Sequence, residues 1–294
     1  MGQDELAAWR PRSVRGAADH LVAAGLLPAT DAATWAQAQF DSLLPRGVAT
    51  PLHQLSTVRT SQARECVGHV WTWVRPRAGD LEALVVDVEI LPEHRGRGLG
   101  RAAMVAAQHA VQALGASVVR LNVHVHNRAA VRLYEGLGYD VSGVTVTRRL
   151  DERGGSEDAT PSVILYAPTE ADRSALTGAG VRRDVVLPGP ASSGQRLWVA
   201  RDLASEPVAV VQLQVVDRSD GRHAVGHHVE VVEGRRRQGV GRSVVRAVEG
   251  LCVDAGIRSV TMTVDHPSSA ARALVERCGY RVAARSMTKA VAGR

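Results

Sequence analysis

The sequence predicts an α/β protein, a mixed central sheet with flanking helices, duplicated within one chain. Three observations carry this. Strand-like apolar alternation recurs between segments of helical period. A strand, a glycine-rich turn and a helix follow one another twice, around PEHRGRGLGR at 92–101 and GRRRQGVGR at 234–242. The two stretches also overlay under one ungapped shift of 141 residues. That shift places Arg95, Gly98, Gly100 and Arg101 on Arg236, Gly239, Gly241 and Arg242. It also places Glu89 on Glu230, Gly115 on Gly256, Val123 on Val264, Ala130 on Ala271, Leu133 on Leu274, Glu135 on Glu276, and Gly138 and Tyr139 on Gly279 and Tyr280. Shared composition would not keep that spacing across three elements, so the chain reads as two copies of one domain. The expected domains are 1–150 and 162–294, joined by a polar, glycine-bearing linker at 151–161.

Within the first copy, residues 4–25 and 31–43 read as helices, the second with Asp31 as N-cap. Residues 54–59, 65–74 and 82–91 read as strands, the last two rich in valine and tryptophan. Beyond Gly98 a helical pattern runs through Met104, Val105, Val111 and Leu114 to a C-cap at Gly115. Val119, Leu121, Val123 and Val125 alternate with polar residues, a strand with one buried face. Asn127 is placed to cap a helix over 128–137, which Gly138 ends, and a final strand covers 139–149. Strands alternating with helices in this order give a mixed sheet covered on its faces.

Composition narrows the function. Of the 294 residues, 45% are hydrophobic and 22% charged, as in globular proteins. No run of eighteen apolar residues occurs, so no membrane span or membrane partner is expected. The N-terminal stretch MGQDELAAWR lacks the apolar core of a secretory signal. Cys66, Cys252 and Cys278 form no CxxC, which points to a reducing, cytoplasmic setting and away from a zinc site. The net charge of +6 divides as +3 in residues 1–150 and +3 in 151–294, without a basic tail. Aromatic residues are only 3%, too few for base-stacking platforms, so a nucleic-acid partner is not expected.

A strand entering a glycine turn and then a helix is a phosphate cradle: glycines allow close approach, and free N–H groups at the helix start point at the anion. Arginines add charge-assisted contacts. A P-loop requires a lysine that is absent here. The dinucleotide pattern is mimicked by Gly98–Ala103 as GLGRAA, yet Arg120, Leu121 and Asn122 stand where its ribose-binding acid belongs. The pyrophosphate of coenzyme A is the remaining ligand. Arg95, Gly96, Arg97, Gly98, Leu99 and Gly100 fit [QR]-x-x-G-x-[GA], preceded by Ile90, Leu91 and Pro92. Asn127, Ala130, Leu133, Tyr134, Glu135, Gly138 and Tyr139 fill N-x-x-A-x-x-L-Y-E-x-x-G-[FY]. With both signatures at this separation, the chain resembles the GNAT superfamily of N-acetyltransferases. The second copy keeps the first signature as Arg236, Arg237, Gln238, Gly239, Val240 and Gly241. Its second signature is eroded, with Ser268 for Asn127 and Val275 for Tyr134.

The resemblance implies the acyl-CoA N-acyltransferase fold, acetyl-CoA as acyl donor, no metal, and an amine-bearing small molecule or peptide as acceptor. It implies cofactor binding by Ile90, Leu91, Arg95, Gly96, Arg97, Gly98, Leu99, Gly100, Arg101 and Asn127, and a strand bulge at 88–91 that offers backbone N–H groups. Tyr134, read alone a packed aromatic of an amphipathic helix, becomes the expected general acid. Glu89 is the expected base, with Asp87 beside it and Glu82 a weaker choice. Related enzymes that acetylate ribosomal-protein termini have a glutamate where Asn122 stands, which counts against that base. His124 and His126 read as surface or substrate-side residues rather than a metal pair, since no third ligand has motif spacing. His227 in the second copy stands where some relatives place a catalytic histidine. The first copy is therefore expected to be catalytic and the second degenerate, in a monomer with pseudo-dimeric domain pairing or a homodimer. The alternative is a non-catalytic, regulatory acyl-CoA-binding protein.

Overall fold

A computed structural model of the chain describes residues 1–77, 79–150, 162–179, 181, 195–265 and 269–291. The linker expected at 151–161 and Ser268 lie outside the described residues, and the side chain of His227 is likewise not described. The chain forms two compact units: Met1–Gly143 with Ala283–Arg294, and Val144–Val282.

The first unit begins with α1 (Gln3–Ala23) and α2 (Ala29–Leu43). Strands β1 (His53–Arg59), β2 (Cys66–Arg77) and β3 (Asp80–Ile90) follow, then α3 (Leu99–Ala113), β4 (Val118–His124) and α4 (Arg128–Glu135). β1, β2 and β3 pair antiparallel, and β4 joins β3 in parallel. Helix α3 carries Met104 and Val111 into one core with Leu121, Tyr134 and Tyr139. On α1 and α2, Trp9 and Phe40 pack with Trp71 of β2, with edge-on rings at 5.2–6.1 Å. Such aromatic contacts bury much apolar area with defined geometry.

The free edge of β4 is completed from the far end of the sequence. Residues Ala284–Ala290 of β11 (Arg281–Ala290) pair antiparallel with β4, from Ala284 opposite His124 to Ala290 opposite Val118. Met287 and Val291 are buried in the core of this unit. The second unit uses the counterpart strand in the same way. β5 (Asp140–Arg149) leaves the first unit after Gly143, and its Val144 and Val146 enter the second core. Strand β5 adjoins β10 (Ile257–Asp265); Leu150 N–H donates to the Arg258 carbonyl at 2.8 Å, and the Thr147 and Thr261 hydroxyls bond at 3.1 Å. β5 and β11 are each other's images under the 141-residue shift, so the units have traded equivalent strands. The units therefore differ from the contiguous segments 1–150 and 162–294.

Elsewhere the second unit repeats the first. It contains β6 (Val163–Tyr166), α5 (Glu170–Gly178), β7 (Gln195–Asp202), β8 (Pro207–Arg218), β9 (Gly221–Val231), α6 (Val240–Asp254) and α7 (Ser269–Arg277). Its strand order is β5-β10-β9-β8-β7-β6, with β9 and β10 parallel.

Candidate active site

The parallel pair at the centre of the first unit is short. Glu82–Val85 of β3 face Val118–Leu121 of β4 and the pairing then stops. Against β2, β3 continues: Trp71 faces Asp87, His69 faces Glu89 and Gly68 faces Ile90. From Asp87 to Ile90, then, one edge of β3 is bonded and the edge toward β4 is open. The cause is a bulge. Register with β2 passes from Thr72–Val85 to Trp71–Asp87, leaving Val86 as the extra residue. A bulge bends its strand and increases twist, here turning β3 away from β4. It lies at Val86, before the 88–91 expected from the sequence. An open strand edge offers backbone groups to an extended ligand.

At the end of this wedge stands the glycine loop. A short 3₁₀ turn, Pro92–His94, leads to Gly96 and Gly98, with φ of 75° and 78°. These left-handed values strain any other residue. A Cβ at Gly98 would meet no neighbouring atom within 4 Å, so its empty flank is room for a ligand. Gly98 is the N-cap of α3, whose first N–H groups and dipole favour an anion. Gly100 differs: its backbone is ordinary, and a Cβ there would make van der Waals contact with Leu133 at 3.5 Å.

The arginines divide. Nε of Arg95 donates to the Ile90 carbonyl at 2.8 Å and braces the loop onto the strand. Arg101 donates to the Gly136 carbonyl at 2.8 Å and ties α3 to the end of α4. Arg97 is exposed and has no hydrogen bond or ion pair among the described residues. Asn127 caps α4, accepting from the Ala130 N–H at 3.2 Å. The cradle and the open edge fit a phosphate-bearing ligand with an extended arm, such as acyl-coenzyme A.

Three ionisable groups of the wedge matter chemically. Asp87 is half-buried and accepts a hydrogen bond from Ser13 of α1 at 2.6 Å. Burial, with Glu89 adding to it, raises its carboxyl to about 6 despite that bond. Tyr134 of α4 is 9% exposed and meets Tyr139 edge-on at 5.9 Å. Burial first, then the charge of Asp87, pushes its phenol up to about 12. Glu89 is engaged differently. Arg12 of α1 lies 3.4 Å from its carboxylate, and Nδ1 of His69 lies 3.5 Å away. Glu82 is outside this group: Arg75 at 2.6 Å, Arg120 at 3.3 Å and Arg77 at 3.4 Å surround it. Burial would raise its carboxyl, but the Arg75 hydrogen bond and the neighbouring arginine charges outweigh that and hold it low.

Where the sequence showed only His124 and His126, α1 supplies a third ring, His20. Nδ1 of His20 lies 2.9 Å from Nε2 of His126, and the three ring centroids are 5.1–5.8 Å apart. The rings of His20 and His124 stack, as do those of His124 and His126. Among the described residues no His, Cys, Asp or Glu group has a metal-holding arrangement. Burial, then the neighbouring rings, lowers His124 to about 4. Sequence reasoning had passed over His20, Ser13, Arg12 and His69. One signal was present: Trp9, Ser13 and His20 recur at helical spacing, so one face of α1 mixes core and polar positions.

The second unit repeats the wedge in register. His223–Ser259 through Gly226–Met262 pair in β9 and β10, each exactly one repeat beyond its counterpart, and His227 is the extra residue opposite β8. Gly239 caps α6 with φ 84° and open space around it. Arg237, however, adopts φ 63° where the first copy has Gly96. At the Tyr134 position, Val275 is 5% exposed within the core.

Comparisons with known proteins show the family and the fold. The model of the acetyltransferase (GNAT) family matches residues 27–139 and again 182–280. A Bacillus subtilis protein, uncharacterized N-acetyltransferase YycN, is 29% identical over 150 residues, 51% of this chain and 96% of that protein. A mycothiol acetyltransferase from Kocuria rhizophila is 34% identical over 155 residues, 51% of this chain but 46% of that protein. Among solved structures, a GCN5-related N-acetyltransferase from Sphaerobacter thermophilus superposes with a TM-score of 0.56 at 16% identity, covering 93% of this chain and 90% of that one. A tandem GNAT protein from the clavulanic acid biosynthesis pathway gives 0.51 at 15%, covering 97% and 96%. At such identities the structural likeness is one of fold.

Proposed function

The chain belongs to the GNAT family of acetyltransferases, and from that premise we propose that its first unit transfers an acetyl group from acetyl-CoA to a primary amine of a small molecule or peptide. The observation that carries this reading is the wedge itself. β3 leaves β4 after Val85, and the charge of Asp87 adds to burial in raising the Tyr134 phenol. Acetyl-CoA, when bound, supplies an activated thioester carbonyl. The loop at Gly96 and Gly98 and the first turn of α3 would hold its phosphates, assisted by Arg97. Backbone groups on the open edge at Val88–Ile90 would orient its arm.

Asp87 is the proposed proton acceptor in preference to Glu89. Hydrogen bonds from Ser13 and the Val88 backbone hold its carboxylate in place, and a carboxyl raised to about 6 is ionised yet basic at neutral pH. Glu89, engaged by Arg12 and His69, would instead attract the cationic acceptor. A phenol pushed to about 12 keeps its proton at Oη at neutral pH, so Tyr134 stands as the proton donor. The second unit lacks this donor, because Val275 fills the position with a core side chain. It is proposed to bind acyl-CoA weakly or to act structurally.

An amine screen with detection of released thiol tests the reading. Mycothiol-type acceptors belong in it because relatives carry that name. On the best acceptor, Asp87→Asn and Tyr134→Phe should each lower turnover by about 10²–10⁴ while acetyl-CoA still binds. The wild-type rate should rise with pH through about 6, as Asp87 ionises, and Asp87→Asn should lose that limb. Tight acetyl-CoA binding with no thiol release on any amine would favour the non-catalytic alternative.

A further inference from the structure

On the α1 side of the sheet three other residues stand in a chemically suggestive order. Cys66 opens β2, and the β1–β2 register slips there: Val58 faces Gly68 while Arg59 faces Cys66, so Val67 is extra. In a regular strand residues three apart lie on opposite faces, and this bulge brings Cys66 to the His69 side. Sγ of Cys66 lies 3.7 Å from Nε2 of His69. The His69 ring is 3% exposed and stacks on Trp9 at 5.4 Å, so it is held in one orientation. Its Nδ1 points toward the Glu89 carboxylate at 3.5 Å, beyond good hydrogen-bond length, and has no other partner among the described residues.

That orientation selects the tautomer. A proton on Nδ1 faces the carboxylate favourably, whereas a lone pair there would oppose it. The Nε2 lone pair is then left toward the thiol. The charged groups acting on His69 are Glu89, Arg12 and Glu5, with Cys66 at its other nitrogen. Burial, with Arg12 acting the same way, lowers the imidazole below its usual range against the opposing pull of Glu89 and Glu5, so it is a neutral proton acceptor at pH 7. The order thiol, imidazole, carboxylate is that of an activated nucleophile.

We propose that Cys66 is a nucleophilic thiol, activated by His69 and oriented through Glu89, that exchanges with small-molecule disulfides. Sγ attacks one sulfur of R–S–S–R and its proton passes to Nε2. The S–S bond breaks and the departing thiolate takes that proton, leaving Cys66–S–S–R and R–SH. Cys66 is partly exposed. The chain carries its own controls: Cys252 is buried and its thiol is pushed up to about 11 by burial and Glu249, and Cys278 is buried and raised by burial. The proposal shares Glu89 with the acceptor side of the proposed acetyl transfer, but its test uses no acyl acceptor.

The test treats the full chain with dithiodipyridine, follows thione release, and maps the adduct by mass spectrometry. One fast equivalent should fall on Cys66. Because exposure alone would favour Cys66, the decisive comparison is with the same cysteine in the chain unfolded in guanidinium. At pH 7 native Cys66 should react about tenfold faster than that, since an ordinary thiol is only a few per cent ionised there. His69→Gln should abolish the excess. Glu89→Gln preserves side-chain size and should reduce it too, which covers a failure of the first variant to fold. A native rate no greater than the unfolded one, or an excess intact in both variants, overturns the proposal.

Discussion

Gly98 and Gly68 show how two glycines in one site serve different needs. Gly98 has φ 78° and nothing near its missing side chain, so Gly98→Val adds left-handed strain of about 1–2 kcal/mol and fills the ligand's space. The variant should fold, melt somewhat lower, and lose acetyl-CoA binding in calorimetry; affinity within twofold of wild type would contradict the cradle. Gly68 faces the opposite constraint. A Cβ there would collide with the Glu89 carbonyl and press on Ile90 across the strand pair. Gly68→Ala should cost about 1–3 kcal/mol by overpacking and disturb the open edge of β3. Equal melting temperatures for Gly68→Ala and wild type would show that β2 and β3 yield there without cost.

At the scale of elements, α1 does most to finish the site, supplying Ser13 to Asp87, Arg12 to Glu89 and His20 to the histidine stack. The stack should make the first unit sensitive to acid. His124 titrates near 4 when folded and near 6.5 when unfolded, so between those values the unfolded chain binds more protons. Stability from this group is therefore whole above about 6.5 and is lost as pH falls toward 4. Asp87, raised to about 6, acts in the opposite direction over much of that window. The clean measurement is a difference: His124→Gln should flatten the decline of chemical-denaturation stability between pH 6.5 and 4 relative to wild type. An unchanged slope would mean that His124 accepts a proton in the fold without penalty. The short helix α4 depends on its cap, and Asn127→Ala should cost about 1 kcal/mol.

For the whole molecule, the traded strands decide what can be cut. A fragment of residues 1–155 lacks β11, leaving the β4 edge unpaired and the places of Met287 and Val291 empty. Exposed strand edges promote aggregation. The fragment should be poorly soluble or unfolded, and a chain in which a flexible linker joins residue 143 to 283–294 should recover a cooperative melt. If the 1–155 fragment folds as stably as that joined chain, its own β5 has taken the β4 edge, and the exchange is dispensable.

What the sequence by itself determined is local or periodic. Apolar alternation located the strands, Asn127 and the glycines marked helix ends, and the repeat and both signatures followed from spacing along the chain. The loop at Gly96 and Gly98 was legible because glycine takes a left-handed turn before a helix without strain, although Arg237 adopts the first of these turns in the second unit. Tertiary structure decided the rest. No local signal tells β4 whether β5 or its repeat image β11 will fill its edge, because the two strands are equivalent in the duplicated pattern. The bulge at Val86 depends on how β2 and β3 register, not on residue type. The proposed choice of Asp87 over Glu89 as proton acceptor rests on α1, which brings Ser13 to one carboxyl and Arg12 to the other. Burial and distant neighbours set the acidity of a side chain, and both are properties of the folded chain.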